Sequence, residues 1–175
     1  MLLIKTEKEV AMKILIIEDN PIHQEAARKQ LSDHDLTIME SFIDFFETFR
    51  DCWHDKPSMN LAEFDIVLTD INLPSPHDEE VCVEAATGLV IVLKALQYGV
   101  KKIGIITDAN HHQDAIGKAF DLWMGSSNGA PFTVGDVMIY PECYNALIVE
   151  DEKLIKNWKG LMEGLLSGKH INNQR

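Results

Sequence analysis

The sequence has little cysteine: Cys52, Cys82 and Cys143 are widely spaced, and no CxxC occurs among its 175 residues. An odd, scattered set gives neither a disulfide framework nor a zinc knuckle, which leaves reduced, mostly buried thiols. Long hydrophobic runs are missing as well. The longest, Leu89 to Leu93, is far short of the ~20 residues that cross a bilayer. The N-terminus also lacks the basic segment, apolar block and small-residue cleavage site of a secretory signal. A soluble, cytoplasmic protein with no membrane partner is therefore expected. Positive charge is scarce, with 16 Lys and Arg against 28 Asp and Glu and a net charge of −12. That field repels phosphate backbones, and the only basic pairs are Arg28-Lys29 and Lys101-Lys102, so nucleic acid is a poor direct partner. Seven histidines do not make a transition-metal site. His77 beside Asp78, Glu79 and Glu80, and the pair His111-His112, are adjacent in sequence and do not converge on one ion, and no two histidines stand at i, i+4.

What is present is an ordinary globular composition, 46% hydrophobic and 25% charged, at a length that suits about one domain. Residues 1–12 read as an N-terminal extension, 13–167 as a single domain and 168–175 as a tail. Ile14-Leu15-Ile16-Ile17 is a short apolar run closed by Glu18-Asp19-Asn20-Pro21, the pattern of a strand buried on both faces and followed by a helix with proline in its first turn. A second strand, Leu36 to Met39, precedes Ser41 as helix cap, and then Phe42, Phe45, Phe46, Phe49 and Trp53 recur at helical spacing as one core face. The polar stretch 51–63, with Pro57, reads as a connection. Phe64 to Thr69 is the strongest strand and ends at Asp70. Ser75 to Glu84 reads as a long acidic loop before a helix from about Thr87 to Tyr98, which Gly99 ends. Ile103 to Thr107 is a fourth strand and Asp114 to Met124 a fourth helix. Val134 to Tyr140 is a fifth strand, stopped by Pro141, and a last helix spans about Glu150 to Ser167.

Five strands alternating with helices imply an α/β fold: a doubly wound, five-stranded parallel sheet with helices on both faces. In such sheets ligands bind at the carboxyl ends of the strands. Glu18 and Asp19 fall just past strand one and Asp70 just past strand three. In the flavodoxin-like order 2-1-3-4-5 these strands are neighbours, so the three acids share a crevice. Crowded carboxylates raise one another's pKa unless a cation bridges them, and a few hard oxygen ligands beside water and phosphate suit Mg²⁺. Acids at strand ends can instead simply cap the next helix, a role open to Asp19 and Asn20. The convergence of three acids, with the Thr107 hydroxyl after strand four, favours the cation site.

Lys13-Ile14-Leu15-Ile16-Ile17-Glu18-Asp19-Asn20-Pro21 and Phe64-Asp65-Ile66-Val67-Leu68-Thr69-Asp70-Ile71-Asn72-Leu73-Pro74, followed by Ile105-Ile106-Thr107, resemble the receiver domain of two-component response regulators over about Lys13 to Leu166. The resemblance implies that Asp70 accepts a phosphoryl group from a phosphohistidine on a histidine kinase or histidine phosphotransfer protein. It also implies that Glu18, Asp19, Asp70 and the Asn72 backbone carbonyl hold Mg²⁺, and that Thr107 contacts the phosphoryl oxygens. Such a chain is a phosphoacceptor and not an enzyme beyond slow self-phosphorylation and self-dephosphorylation. It signals by changing which protein it binds.

The sequence departs from that family in three places. The loop after the phosphoacceptor strand and the loop from Gly125 to Gly135 are long, and the lysine expected before a proline at the end of strand five is replaced by Tyr140-Pro141. A second register puts Tyr140 at the switch aromatic and Cys143 at the lysine, but it buries Pro141 inside a strand at the loss of a ladder hydrogen bond. The first register, with Val137 at the switch position, is preferred. Neither supplies a lysine, so the group nearest the Asp70 carboxylate becomes the decisive observation, since a lysine distant in sequence could fill the place. One alternative is a receiver fold used as a constitutive interaction module. Another is a Mg²⁺-dependent phosphohydrolase, although the general acid usual two residues after the nucleophile is missing at both Asp70 and Asp19. The seven apolar residues Leu154, Ile155, Trp158, Leu161, Met162, Leu165 and Leu166 exceed one helical stripe, which leads to the expectation of a homodimer through the final helix.

Overall fold

The computed structural model describes residues 10–49, 59–74, 84–85, 87–107, 118, 130–143 and 146–169. The chain runs β1 (Lys13–Ile17), α1 (Pro21–Gln30), β2 (Asp35–Met39), α2 (Phe42–Phe49), a 3₁₀ turn (Leu61–Glu63), β3 (Ile66–Asp70), β4 (Leu73–Pro74), β5 (Glu84–Ala85), α3 (Gly88–Gln97), β6 (Lys102–Ile106), β7 (Phe132–Val134), β8 (Val137–Glu142), β9 (Leu147–Glu150), β10 (Lys153–Lys156) and α4 (Trp158–Ser167). Six strands form one sheet in the order β2-β1-β3-β6-β8-β7. Its pairings are parallel except for β7, which runs antiparallel to β8 on the edge. β9 with β10 and β4 with β5 make two separate antiparallel ribbons.

The apolar runs in β1 and β3 result from burial on both sides. Leu15, Ile17, Val67, Ile103 and Ile105 join a core with Phe45 and Phe49 of α2 and Ile91, Val92 and Ala95 of α3. The alternate residues Ile14, Ile16, Ile66 and Leu68 join a second core with Ala26 and Ala27 of α1 and Trp158, Leu161 and Leu165 of α4. Period-two side-chain alternation separates the two sets, so each strand must be apolar throughout. Close helix approach depends on small residues. A Cβ on Gly164 of α4 would stand 2.1 Å from the Tyr140 ring.

Several sequence expectations need correction. The sheet has six strands, not five, because Phe132–Val134 adds the edge strand β7. Strand five does not stop at Tyr140. β8 begins at Val137 and passes through Pro141 to Glu142; β7 pairs only with Val137 to Ile139, so among the described residues β8 is an edge strand at Pro141, where proline is tolerated. The last helix is shorter than expected: residues 147–156 form the β9–β10 hairpin, and α4 starts only at Trp158. The loop after Asp70 is closed at its base by the β4–β5 ribbon, and the connection before Phe64 holds the 3₁₀ turn. Of the aromatic face, Phe45 and Phe49 are buried while Phe46 is 45% exposed; Trp53 lies outside the described residues. So does the expected helix 114–124, apart from helical Lys118. Met12, assigned to the extension, already belongs to the fold, its carbonyl accepting from the Asp35 N–H at 2.9 Å. Among the described residues no helix is long and apolar enough to cross a membrane.

Candidate functional site

The site is built where β1 and β3 end side by side. Ile17 pairs with Thr69, so Glu18 and Asp70 leave adjacent strands at the same level. Asp70 pairs in turn with Ile106, which places Thr107, buried at 2% exposure, one residue beyond on the next strand. Asn72 lies in the short connection between β3 and β4. Glu18, Asp19 and Asp70 can each offer a carboxylate oxygen such that the three atoms lie within 4.8 Å of one another. Among the described residues this is the cluster able to hold a metal ion. Nothing in the geometry selects one metal, although an all-oxygen donor set fits a hard cation. His77 and the His111-His112 pair lie outside the described residues.

Capping does not account for these acids. Asn20 caps α1, its side-chain oxygen accepting from the Ile22 N–H at 2.9 Å with Pro21 in the first turn. The Asn20 N–H donates to Glu18 Oε1 at 3.0 Å, and Gln24 Nε2 to the Glu18 carbonyl at 2.7 Å. Asp70 Oδ1 accepts from the Ile71 N–H at 2.6 Å. The N-terminus of α3 presses against the Asp70 backbone: the Gly88 N–H donates to the Ile71 carbonyl at 3.0 Å, and a Cβ at residue 88 would lie 2.0 Å from the Asp70 carbonyl oxygen. Only glycine fits there without a backbone shift.

The cation that reaches the acids is Lys156. Its Nζ lies 2.7 Å from Glu18 Oε2 and 2.8 Å from Asp70 Oδ2, and both lysine and Glu18 are fully buried. Lys156 is the last residue of β10, distant in sequence from all three acids. The strand end removes the objection raised against the second register, since Pro141 does lie within β8. Glu142 is opposite Ile106, so the residue after the strand is Cys143, and Tyr140 sits inside β8, buried, with its hydroxyl donating to Glu142 Oε2.

Lys156 is held on several sides. Its N–H donates to His23 Nδ1 at 3.4 Å, Gln30 Nε2 donates to its carbonyl at 2.9 Å, and its Nζ stands 5.9 Å from the centroid of the Trp158 ring. Trp158 Nε1 donates to the His23 carbonyl at 2.9 Å. Burial pushes the Glu18 carboxyl up to about 7, with the Asp70 charge adding to the rise, while the Lys156 ammonium and the Asn20 N–H hold it back.

The sequence hid Lys156, His23 and Trp158 as a group. Lys156 lies on a hairpin whose two-residue turn, Asp151-Glu152, adopts φ of 51° and 62° without the glycine or asparagine that normally marks such a turn. Leu154, Ile155 and Trp158 then mimic a helical stripe. No protein-family model matches this chain, and no curated protein or solved structure matches it.

The apolar excess on the expected last helix has a plain explanation. Ile155, Trp158, Leu161, Met162 and Leu165 are buried in the chain's own core, and only Leu154 and Leu166 are exposed. The premise for a dimer through that face falls with the hairpin.

Proposed function

We propose that this chain is a response-regulator receiver of atypical construction, in which Asp70 takes a phosphoryl group from a phosphohistidine. The observation that carries the reading is the buried contact of the Lys156 ammonium with Asp70 and Glu18, at the carboxyl ends of adjacent parallel strands. Leaving aside the edge strand β7 and the two ribbons, the five parallel strands run 2-1-3-4-5 with a core on each side of the sheet, which supports a doubly wound, flavodoxin-like arrangement with its crevice at this point.

In the reaction, one Asp70 carboxylate oxygen attacks phosphorus in line with the phosphoramidate bond; the new P–O bond forms as the P–N bond breaks, and the imidazole leaves with its electron pair and is protonated. The Ile71 N–H fixes the carboxylate at Oδ1, so little orientation is lost at the moment of attack. The Lys156 ammonium faces the growing charge on the phosphoryl oxygens. A hydrogen bond to a charged group is worth about 1.5–3 kcal/mol, roughly ten- to hundred-fold in rate. The buried Thr107 hydroxyl is offered to the same oxygens. Glu18, Asp19, Asp70 and the Asn72 carbonyl would hold Mg²⁺, which supplies charge neutralisation between acceptor and phosphoryl group. The proposed donor is a histidine kinase or histidine phosphotransfer protein, the setting cytoplasmic, and the output a change in protein binding.

A second reading, a constitutive interaction module, draws on the same contact: Lys156 already pairs Glu18 and Asp70 without any further cation. Acetyl phosphate with Mg²⁺ separates the two. One phosphoryl adduct is expected on the wild type, none on Asp70→Asn, and less on Asp19→Asn. An unmodified wild type refutes the phosphoacceptor reading and favours the module.

A further inference from the structure

We propose that Gln30, the last residue of α1, is a positioning residue for phosphoryl transfer, acting on Asp70 through the main chain of Lys156. The inference rests on the phosphoacceptor reading and adds to it a residue remote from the acids. Gln30 stands at the opposite end of α1 from Pro21, roughly 13 Å along the helix axis.

The Lys156 ammonium lies 2.7 Å from Glu18 and 2.8 Å from Asp70, at the end of a long stem with several rotatable bonds. Its place depends on where that stem starts, and the start is fixed by two peptide planes. In the plane before Lys156, the Lys156 N–H donates to His23 Nδ1 at 3.4 Å, and Ile155 is buried in the second core with Ala146 and Ile148 packed there. In the plane after it, the Asn157 N–H donates to the Ala146 carbonyl at 2.8 Å. The other side of that plane is held by Gln30, whose Nε2 donates to the Lys156 carbonyl at 2.9 Å. Gln30 uses its second amide atom on the next element: the Lys159 N–H, in the first turn of α4, donates to Gln30 Oε1 at 3.0 Å. This is one of the N–H groups that a helix leaves without an internal partner at its start. One carboxamide therefore fixes the 156–157 peptide against α1 and α4 at once.

The consequence for the reaction follows from leverage. A small rotation of that peptide is magnified along the lysine stem, and a misplacement of about 1 Å at a reacting group costs up to about a hundredfold in rate. When Asp70 displaces acetate from acetyl phosphate, the P–O bond to Asp70 forms as the P–O bond to acetate breaks, and acetate leaves with the electron pair. Charge growing on the phosphoryl oxygens is stabilised best by an ammonium already in place, because no reorganisation is then needed during the step. Gln30 holds it there without contributing an atom to the reaction.

The rate of adduct formation on the full chain with acetyl phosphate and Mg²⁺ tests this, read by intact-protein mass spectrometry at about 0.15 M salt, where charges are screened over ~8 Å. Gln30→Leu loses both bonds and is expected to slow the reaction about fivefold, the scale of one neutral hydrogen bond. Gln30→Glu keeps the acceptor for the Lys159 N–H but loses the donor to the Lys156 carbonyl, and is expected to be as slow as Gln30→Leu. In a Lys156→Met background, Gln30→Leu is expected to add no further slowing, because a residue that acts through the ammonium has nothing left to act on. A wild-type rate in Gln30→Leu or in Gln30→Glu overturns the proposal and leaves the phosphoacceptor reading standing, since Gln30 then only ties α1 to α4. Equal slowing with and without Lys156 overturns it in the same way, and the Gln30→Glu arm decides alone where the Lys156→Met background does not fold. No adduct on the wild type overturns both.

Discussion

Replacing Lys156 with methionine keeps most of the stem and removes the ammonium. Two buried carboxylates, Glu18 and Asp70, then face each other without the charge that lies 2.7 Å from one and 2.8 Å from the other. Removing one partner of a buried pair costs about 3–5 kcal/mol, a large part of the ~5–15 kcal/mol that holds a typical domain together. The cost depends on pH in a definite direction. The Lys156 ammonium holds Glu18 down at about 7; without it the carboxyl rises further, so the variant binds a proton at Glu18 between about pH 7 and 8 that the wild type has already lost. Urea unfolding followed by far-ultraviolet circular dichroism is expected to show a destabilisation larger at pH 8 than at pH 5 by about 1 kcal/mol or more, on the order of one pKa unit. Mg²⁺ is expected to raise the midpoint of the variant more than that of the wild type, because a divalent ion can take the vacated place between the acids. A loss below about 1 kcal/mol at both pH values, the scale of a surface ion pair, refutes the assignment of Lys156 as the cation that neutralises the site.

Three further outcomes are expected from the same geometry. Glu18 binds its proton more tightly folded than unfolded, so the folded state holds more protons between pH about 4.5 and about 7; its contribution to stability is full below the window and is lost as pH rises through it, on the order of 3 kcal/mol. Glu18→Gln is expected to remove that portion of the slope in a pH series of thermal midpoints, and an unchanged slope contradicts the burial argument. Gly88→Ala forces a methyl to within 2.0 Å of the Asp70 carbonyl and is expected to cost more than the ~1–3 kcal/mol of ordinary overpacking; a near-neutral midpoint shift in urea means that α3 does not press on the phosphoacceptor strand. Leu161 and Leu165 are 1% and 2% exposed, so the double change to glutamate is expected to unfold the chain in circular dichroism, and a well-folded variant shows that this face is not core.

The acids of the site were readable because β1 and β3 are buried on both faces, which makes Ile14 to Ile17 and Ile66 to Leu68 apolar without a break and leaves Glu18, Asp19 and Asp70 close behind them. Adjacent parallel strands then bring the acids together, a consequence of strand order that no local pattern contradicts. Lys156 was not readable. Its strand is four residues long, its turn has Glu152 where glycine is usual after an aspartate, and Leu154 and Trp158 fall at a spacing that a helix would also give. Pro141 reads as a strand stop because proline forfeits a ladder hydrogen bond in a central strand, but among the described residues β7 pairs only as far as Ile139, and β8 carries Pro141 on its open side.

The most direct test of the central claim is chemical trapping at residue 70. After incubation with acetyl phosphate and Mg²⁺, borohydride reduction converts an aspartyl phosphate to homoserine, and tandem mass spectrometry of the peptide containing Ile66 to Asn72 locates the change. Homoserine at position 70, dependent on Mg²⁺, absent from Asp70→Asn and formed about tenfold or more slowly in Lys156→Met, is the predicted result. An unreduced Asp70, or homoserine at another aspartate of the chain, contradicts it.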